Sequence, residues 1–238
     1  MSVPRAVVCL PTYNERENLE PIVRALADRD VDVLVIDDDS PDGTGEIADL
    51  LASELPWVEV LHRPRKEGLG RAYVDGFRHV LARGAELVLE MDCDFSHDPA
   101  DVPRLIAAVE EGADLALGSR YVPGGGTANW GLVRRLISRA ASIYTRVLLM
   151  PIHDSTGGFK CFRRRVLESI ELETIDAAGY VFQIETTYRT LRKGFRIVEV
   201  PIRFADRTAG ESKMSRAIVL EAVWKVPALR LAALAGLL

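Results

Sequence analysis

The feature that most constrains this chain is a rhythm. Short apolar runs ("RAVVCL", "VDVLVI", "VEVL", "ELVLEM", "DLALGS") recur up to Arg120, and each gap between them is wide enough for a helix. Parallel strands need such crossovers, whereas antiparallel hairpins do not. The rhythm therefore predicts an α/β fold with a mostly parallel sheet flanked by helices. Helices are predicted over residues 70–83, 99–110, 131–150 and 182–192. Two more are predicted after the first two strands, one capped by Asn14 with Glu17 completing a capping box, the other capped by Ser40 with Pro41 at its first position. After Arg120 the rhythm breaks into a glycine-rich loop ("YVPGGGTANW"), an irregular or hairpin stretch ("DSTGGFKCFRR") and a further strand ("RIVEVPIRF"). No linker or repeat intervenes, so residues 1–215 read as one domain, with 216–238 as an amphipathic, interfacial helix belonging to it.

Open parallel sheets bind ligands beyond the carboxyl ends of their strands. Three strand ends here carry polar clusters: Thr12-Tyr13-Asn14-Glu15, Asp37-Asp38-Asp39 and Asp92-Cys93-Asp94. Any one of them alone reads better as a cap or a solvated turn; three on one edge read as a site. Asp92 and Asp94 are two residues apart and face the same way in extended chain. Such a pair suits Mg²⁺ or Mn²⁺, hard cations that bridge protein carboxylates to a diphosphate. Ser96 adds a neutral oxygen, while His97 reads as a local hydrogen-bonding residue. The spacing also begins phosphatases of the haloacid dehalogenase type, but those carry it after the first strand rather than the fourth. No G-x-G-x-x-G or P-loop pattern occurs. A net charge of −5 argues against a nucleic-acid partner. Three widely spaced cysteines (Cys9, Cys93, Cys161) fit a reducing compartment, and no signal peptide or complete membrane span is expected.

The blocks "PTYNERENL", "VIDDDSPDGT", "KEGLGRAYVDGF", "EMDCDFSHDP", "GSRYVPGG", "DSTGGFKCF", "YVFQIE" and "VEVPIRFADRTAGESKM" occur in this order. Together they resemble the dolichol- or polyprenol-phosphate mannosyltransferases, inverting GT-A glycosyltransferases that move mannose from GDP-mannose to a lipid phosphate. The resemblance spans residues 4–215. It implies that Pro11, Tyr13 and Glu15 line a nucleoside pocket, with Ile36 and Asp38 beside the base or ribose. Asp92, Cys93, Asp94 and Ser96 would surround the metal and diphosphate, although many relatives carry Gln where Ser96 stands. Arg120, Arg207 and Lys213 would neutralise phosphates, the last two on a loop closing over the donor. Asp94, Arg120, Arg207 and Lys213 are thus the expected catalytic set.

A phosphate acceptor is independently reasonable. A sugar hydroxyl needs a general base, and Asp154 and Glu185 are the candidates for one. A phosphate monoester, with a second pKa near 6, needs only cations to hold it; Arg120, Arg134 and Ser138 offer that hold. Arg135, Arg139 and Arg146 form a stripe on the 131–150 helix, beside Leu132, Ile143 and Leu149. Such a helix can rest on an anionic membrane surface. The apolar C-terminal segment either packs on the domain or meets a membrane-embedded partner or a continuation of the chain. The expected location is the cytoplasmic face of a membrane. Two alternatives stay open: another donor, such as UDP-glucose, and a non-catalytic module binding nucleotide or lipid phosphate.

Overall fold

In a computed structural model, residues 5–175, 179–206 and 216–236 are described, the side chains of 216–222 excepted. The chain runs β1 (Ala6–Thr12), α1 (Leu19–Leu26), β2 (Asp32–Asp37), α2 (Thr44–Glu54), β3 (Val58–His62), α3 (Leu69–Ala82), β4 (Leu87–Glu90), α4 (Val102–Glu110) and β5 (Leu115–Ser119). It continues through β6 (Gly126–Thr127), α5 (Leu132–Leu148), β7 (Lys160–Arg163), α6 (Arg164–Ser169), α7 (Gly179–Arg192), β8 (Ile197–Pro201), β9 (Arg203–Phe204) and α8 (Arg216–Leu234). The sheet has seven strands in the order β3-β2-β1-β4-β7-β5-β8. All are parallel except β7, which runs antiparallel to both β4 and β5.

Alternation along the strands builds two cores. Val8 and Leu10 of β1 face one side with Val33 and Val35, against α1, α2 and α4. Val7 and Cys9 face the other with Leu34 and Ile36, against α3, α6 and α7. Helix α3 lies close on β2 because Gly76 has no side chain; a Cβ there would stand 2.3 Å from Ile36 Cδ1.

Three expectations change. The stretch expected to be irregular or a hairpin contains β7, a central strand. Neither predicted cap forms, because the polar residues brace the loops against each other instead. Asn14 adopts φ 58° and its N–H donates to Ser40 Oγ at 3.2 Å, while Ser40 Oγ donates to Asp37 at 2.6 Å. Helix α1 then begins only at Leu19, and Asp42 rather than Ser40 accepts from the Thr44 N–H that opens α2, at 3.0 Å. Leu149, expected beside the arginine stripe, is buried in a third core that joins α7 to α8.

Helix α8 packs on α5 and α7. Pro227 lies inside it and has no N–H to bond the carbonyl of Val223. Tyr144 of α5 supplies the missing donor, its hydroxyl reaching Val223 O at 3.0 Å.

Candidate active site

The carboxyl ends of β1, β2 and β4 meet along one edge, as expected, and open into a cavity of about 320 Å³. Pro11, Tyr13, Glu15, Asp38 and Lys66 line it, together with Asp92, Cys93 and Asp94 beyond β4 and with Arg120, Thr156, Gly158 and Gln183. A second cavity of about 330 Å³ lies between α5, α7 and α8, with Ile137, Ala141, Tyr144, Ile184 and Val223 on its walls. The two share Arg120, Trp130, Arg134, Thr156 and Tyr180, so they adjoin at that point.

Of the crowded aspartates, only two belong to the cavity. Asp98 is exposed and caps the turn before α4, accepting from Ala100 N–H at 2.9 Å. Asp94, 3% exposed, accepts from Ser96 N–H at 3.0 Å. His97 stacks on Phe159 at 4.8 Å, and its Nδ1 accepts from Asp92 N–H at 3.0 Å. It thereby fixes the loop and serves as the local hydrogen-bonding residue expected. The Ser96 side chain is buried away from the cavity lining, and its hydroxyl has no partner among the described residues. No group of three or more His, Cys, Asp or Glu gathers as a metal cluster among the described residues. Two same-side carboxylates on the cavity wall nevertheless fit Mg²⁺ or Mn²⁺, which commonly take one or two carboxylates and complete their shell with phosphate and water.

Beside Tyr13, Asp38 is buried against Arg63, whose guanidinium also meets Asp75 at 2.8 Å and Glu67 at 3.1 Å. Burial raises the Asp38 pKa despite that partner. Ile36 does not reach the cavity; its side chain packs under α3. Lys66 stands 3.6 Å over the Tyr13 ring, a cation–π contact the sequence did not suggest.

The two arginines at the junction are not free cations. Asp154, fully buried, takes Arg120 Nε at 2.7 Å, Nη2 at 2.6 Å and the backbone N–H at 2.8 Å. Burial acts against the Arg120 charge, but Asp154 outweighs it and the pKa is raised. Thr156 accepts from Nη2 at 2.8 Å, and Nη1 has no hydrogen bond among the described residues. Arg134 lies 4.1 Å over Trp130 and bonds Asp206 at 2.6 Å. Ser138 accepts from the Tyr121 hydroxyl at 2.7 Å. Both arginines therefore reach this point with a carboxylate already beside them. Of the two candidate bases, Asp154 is held as described and Glu185 is buried in a pair with Arg189 at 2.6 Å. Neither lines either of these two cavities. Arg207 and Lys213 lie outside the described residues.

The sequence reading missed a buried pair beneath the carboxylates. Lys160 of β7 stands opposite Glu90 of β4 in the strand register, 3.7 Å away, and both are fully buried. Burial pushes Glu90 up to about 7, against the pull of Lys160, and Lys160 down to about 8, against Glu90.

The family described as glycosyl transferase family 2 matches residues 7–171. A polyprenol monophosphomannose synthase of Mycolicibacterium smegmatis is 51% identical over 226 residues, covering 93% of this chain and 85% of that protein. An undecaprenyl-phosphate mannosyltransferase of Micrococcus luteus is 50% identical over 232 residues, covering 96% and 95%. Among solved structures, glucosyl-3-phosphoglycerate synthase from Mycobacterium tuberculosis, in complex with Mn²⁺, UDP-glucose and glycerol 3-phosphate, aligns with a TM-score of 0.67. That alignment, at 22% identity over 99% of this chain and 81% of the other, speaks to the fold alone.

Proposed function

The chain belongs to glycosyltransferase family 2, and on that premise we propose that it transfers mannose from GDP-mannose to a polyprenyl phosphate with inversion, releasing GDP. The observation that carries this reading is the junction of a polar cavity holding Asp92 and Asp94 with an apolar one between α5, α7 and α8. A nucleotide sugar fits the first and an isoprenoid chain the second, so the acceptor phosphate meets the sugar at Arg120 and Arg134.

In the transfer, an acceptor phosphate oxygen attacks the anomeric carbon while the bond from that carbon to the diphosphate oxygen breaks. The product is a β-mannosyl phospholipid. A bound Mg²⁺ or Mn²⁺ at Asp92 and Asp94 would offset the charge of the departing diphosphate. No proton must be removed from a phosphate dianion, which agrees with Asp154 and Glu185 both being held in ion pairs. Arg120 and Arg134 orient the acceptor through N–H groups their carboxylates leave unused. Turnover decides the matter: purified protein given GDP-mannose and a short polyprenyl phosphate should yield the mannosyl phospholipid by mass spectrometry. Faster transfer from UDP-glucose would overturn the donor, and no transfer from any donor would favour a binding module.

The same reading puts the protein on a cytoplasmic membrane surface. Among the described residues no helix is long and apolar enough to cross a bilayer. Helix α5 instead turns Leu132 (75%), Leu136 (69%) and Val147 (78%) outward, and α8 turns out Trp224 (77%) and Leu231 (67%). Arg135, Arg139 and Arg146 are exposed along the border of the α5 apolar face. Near an anionic surface each basic residue contributes about 1 kcal/mol. Reversing all three charges should weaken binding to anionic vesicles by about a hundredfold or more at low salt, an effect that shrinks as salt rises. Turnover of a water-soluble acceptor should persist. Unaltered vesicle binding would make the stripe ordinary solvated surface.

A further inference from the structure

We propose that Gln183 reads a hydroxyl of the donor hexose, and that Lys160 is the positioning residue that turns the Gln183 amide for that contact. The inference rests on the nucleotide-sugar reading of the polar cavity. Lys160 is fully buried, and its ammonium has three protons to place. They go to Gln183 O at 3.0 Å, Thr186 Oγ1 at 2.9 Å and Gln183 Oε1. The last bond makes Oε1 the acceptor end of the amide, so Nε2, with two N–H donors, must point the other way.

Nε2 has no hydrogen bond among the described residues, although Gln183 is only 3% exposed. It comes near Glu90, enough to help hold down that carboxyl's pKa, yet without hydrogen-bond geometry. A buried donor left unpaired is costly, and this one belongs to a side chain on the cavity wall. Gly158 keeps the place narrow, since a Cβ there would stand 3.3 Å from Nε2.

The order of strands says which part of a ligand arrives there. Tyr13 and Asp38 follow β1 and β2, Asp92 and Asp94 follow β4, and Gln183 enters from α7 beside β7. A nucleotide sugar laid along that edge, with its diphosphate at the aspartates and its nucleoside at Tyr13, brings its hexose to Gln183. The hexose is then also next to the junction where the acceptor enters.

Calorimetry with GDP and with GDP-mannose, in the presence of Mn²⁺, separates this role from a structural one. Gln183→Glu keeps the shape and the acceptor facing Lys160 but loses the N–H donors; Gln183→Met guards against the effect of an added charge. Each should bind GDP within about twofold of wild type and GDP-mannose about tenfold more weakly. Lys160→Met should show the same selective loss, and none further when combined with Gln183→Met. If wild type binds both ligands and the Gln183 variants weaken both alike, or neither, this inference is overturned while the donor reading stands. If wild type binds GDP but not GDP-mannose, the donor reading falls and the inference with it.

Discussion

Asp94→Asn should lower transfer by about a hundredfold to a thousandfold while the protein stays folded. The expected loss follows from removing one charged ligand of a hard cation beside the leaving diphosphate, a cost of several kcal/mol at the transition state. The fold should be indifferent for a local reason. Asp94 uses one oxygen to accept the Ser96 N–H, and an asparagine carbonyl at that position can accept it as well. Asp98→Asn is the natural control, because Asp98 is exposed and caps a turn; it should leave turnover within about twofold, as surface changes usually do. Calorimetric titration with Mn²⁺ in the presence of GDP supplies a reading besides activity and should show weakened binding in Asp94→Asn alone. Undiminished activity in that variant, or in wild type with EDTA, would remove the metal from the site.

Much of this architecture was legible because it depends on periodicity. Five apolar runs with helix-length gaps dictated the parallel strands, and same-edge polar clusters located the cavity. What was not legible depends on tertiary partners. Lys160 sits in "GGFKCF" and Glu90 in "LVLEM", each a lone charge inside an apolar run. Only their register across β4 and β7 joins them. A buried charge needs an opposite one, so two such interruptions of opposite sign were the available signal for a central strand. Gln183 offered less, since the whole stretch from Val181 to Thr190 is buried and its polar residues follow no face. Asn14 and Ser40 failed as caps for a related reason. Their local spacing was right, but Asp37 and the neighbouring loop competed for the same groups. Arg120 lines the cavity, and the motif that singled it out is local, whereas its pairing with Asp154, thirty-four positions along, left no trace in local sequence.

That pairing gives the largest stability effect expected here. Arg120→Met leaves Asp154, fully buried, without its ion-pair partner. Removing one partner of a buried ion pair costs about 3–5 kcal/mol, which for a chain of this length lowers Tm by about 10 °C. Loss of stability alone would not show that Arg120 handles phosphate, because an inactive variant could simply be a loosened one. The double variant Arg120→Met/Asp154→Leu separates the two. Replacing both charges by apolar groups of similar volume is often neutral, so most of the lost Tm should return. Transfer should not return with it, because the unused Arg120 N–H groups at the junction of the cavities are gone. A double variant that regains both its melting temperature and its turnover would reduce Arg120 to a structural ion pair and leave the acceptor phosphate to Arg134.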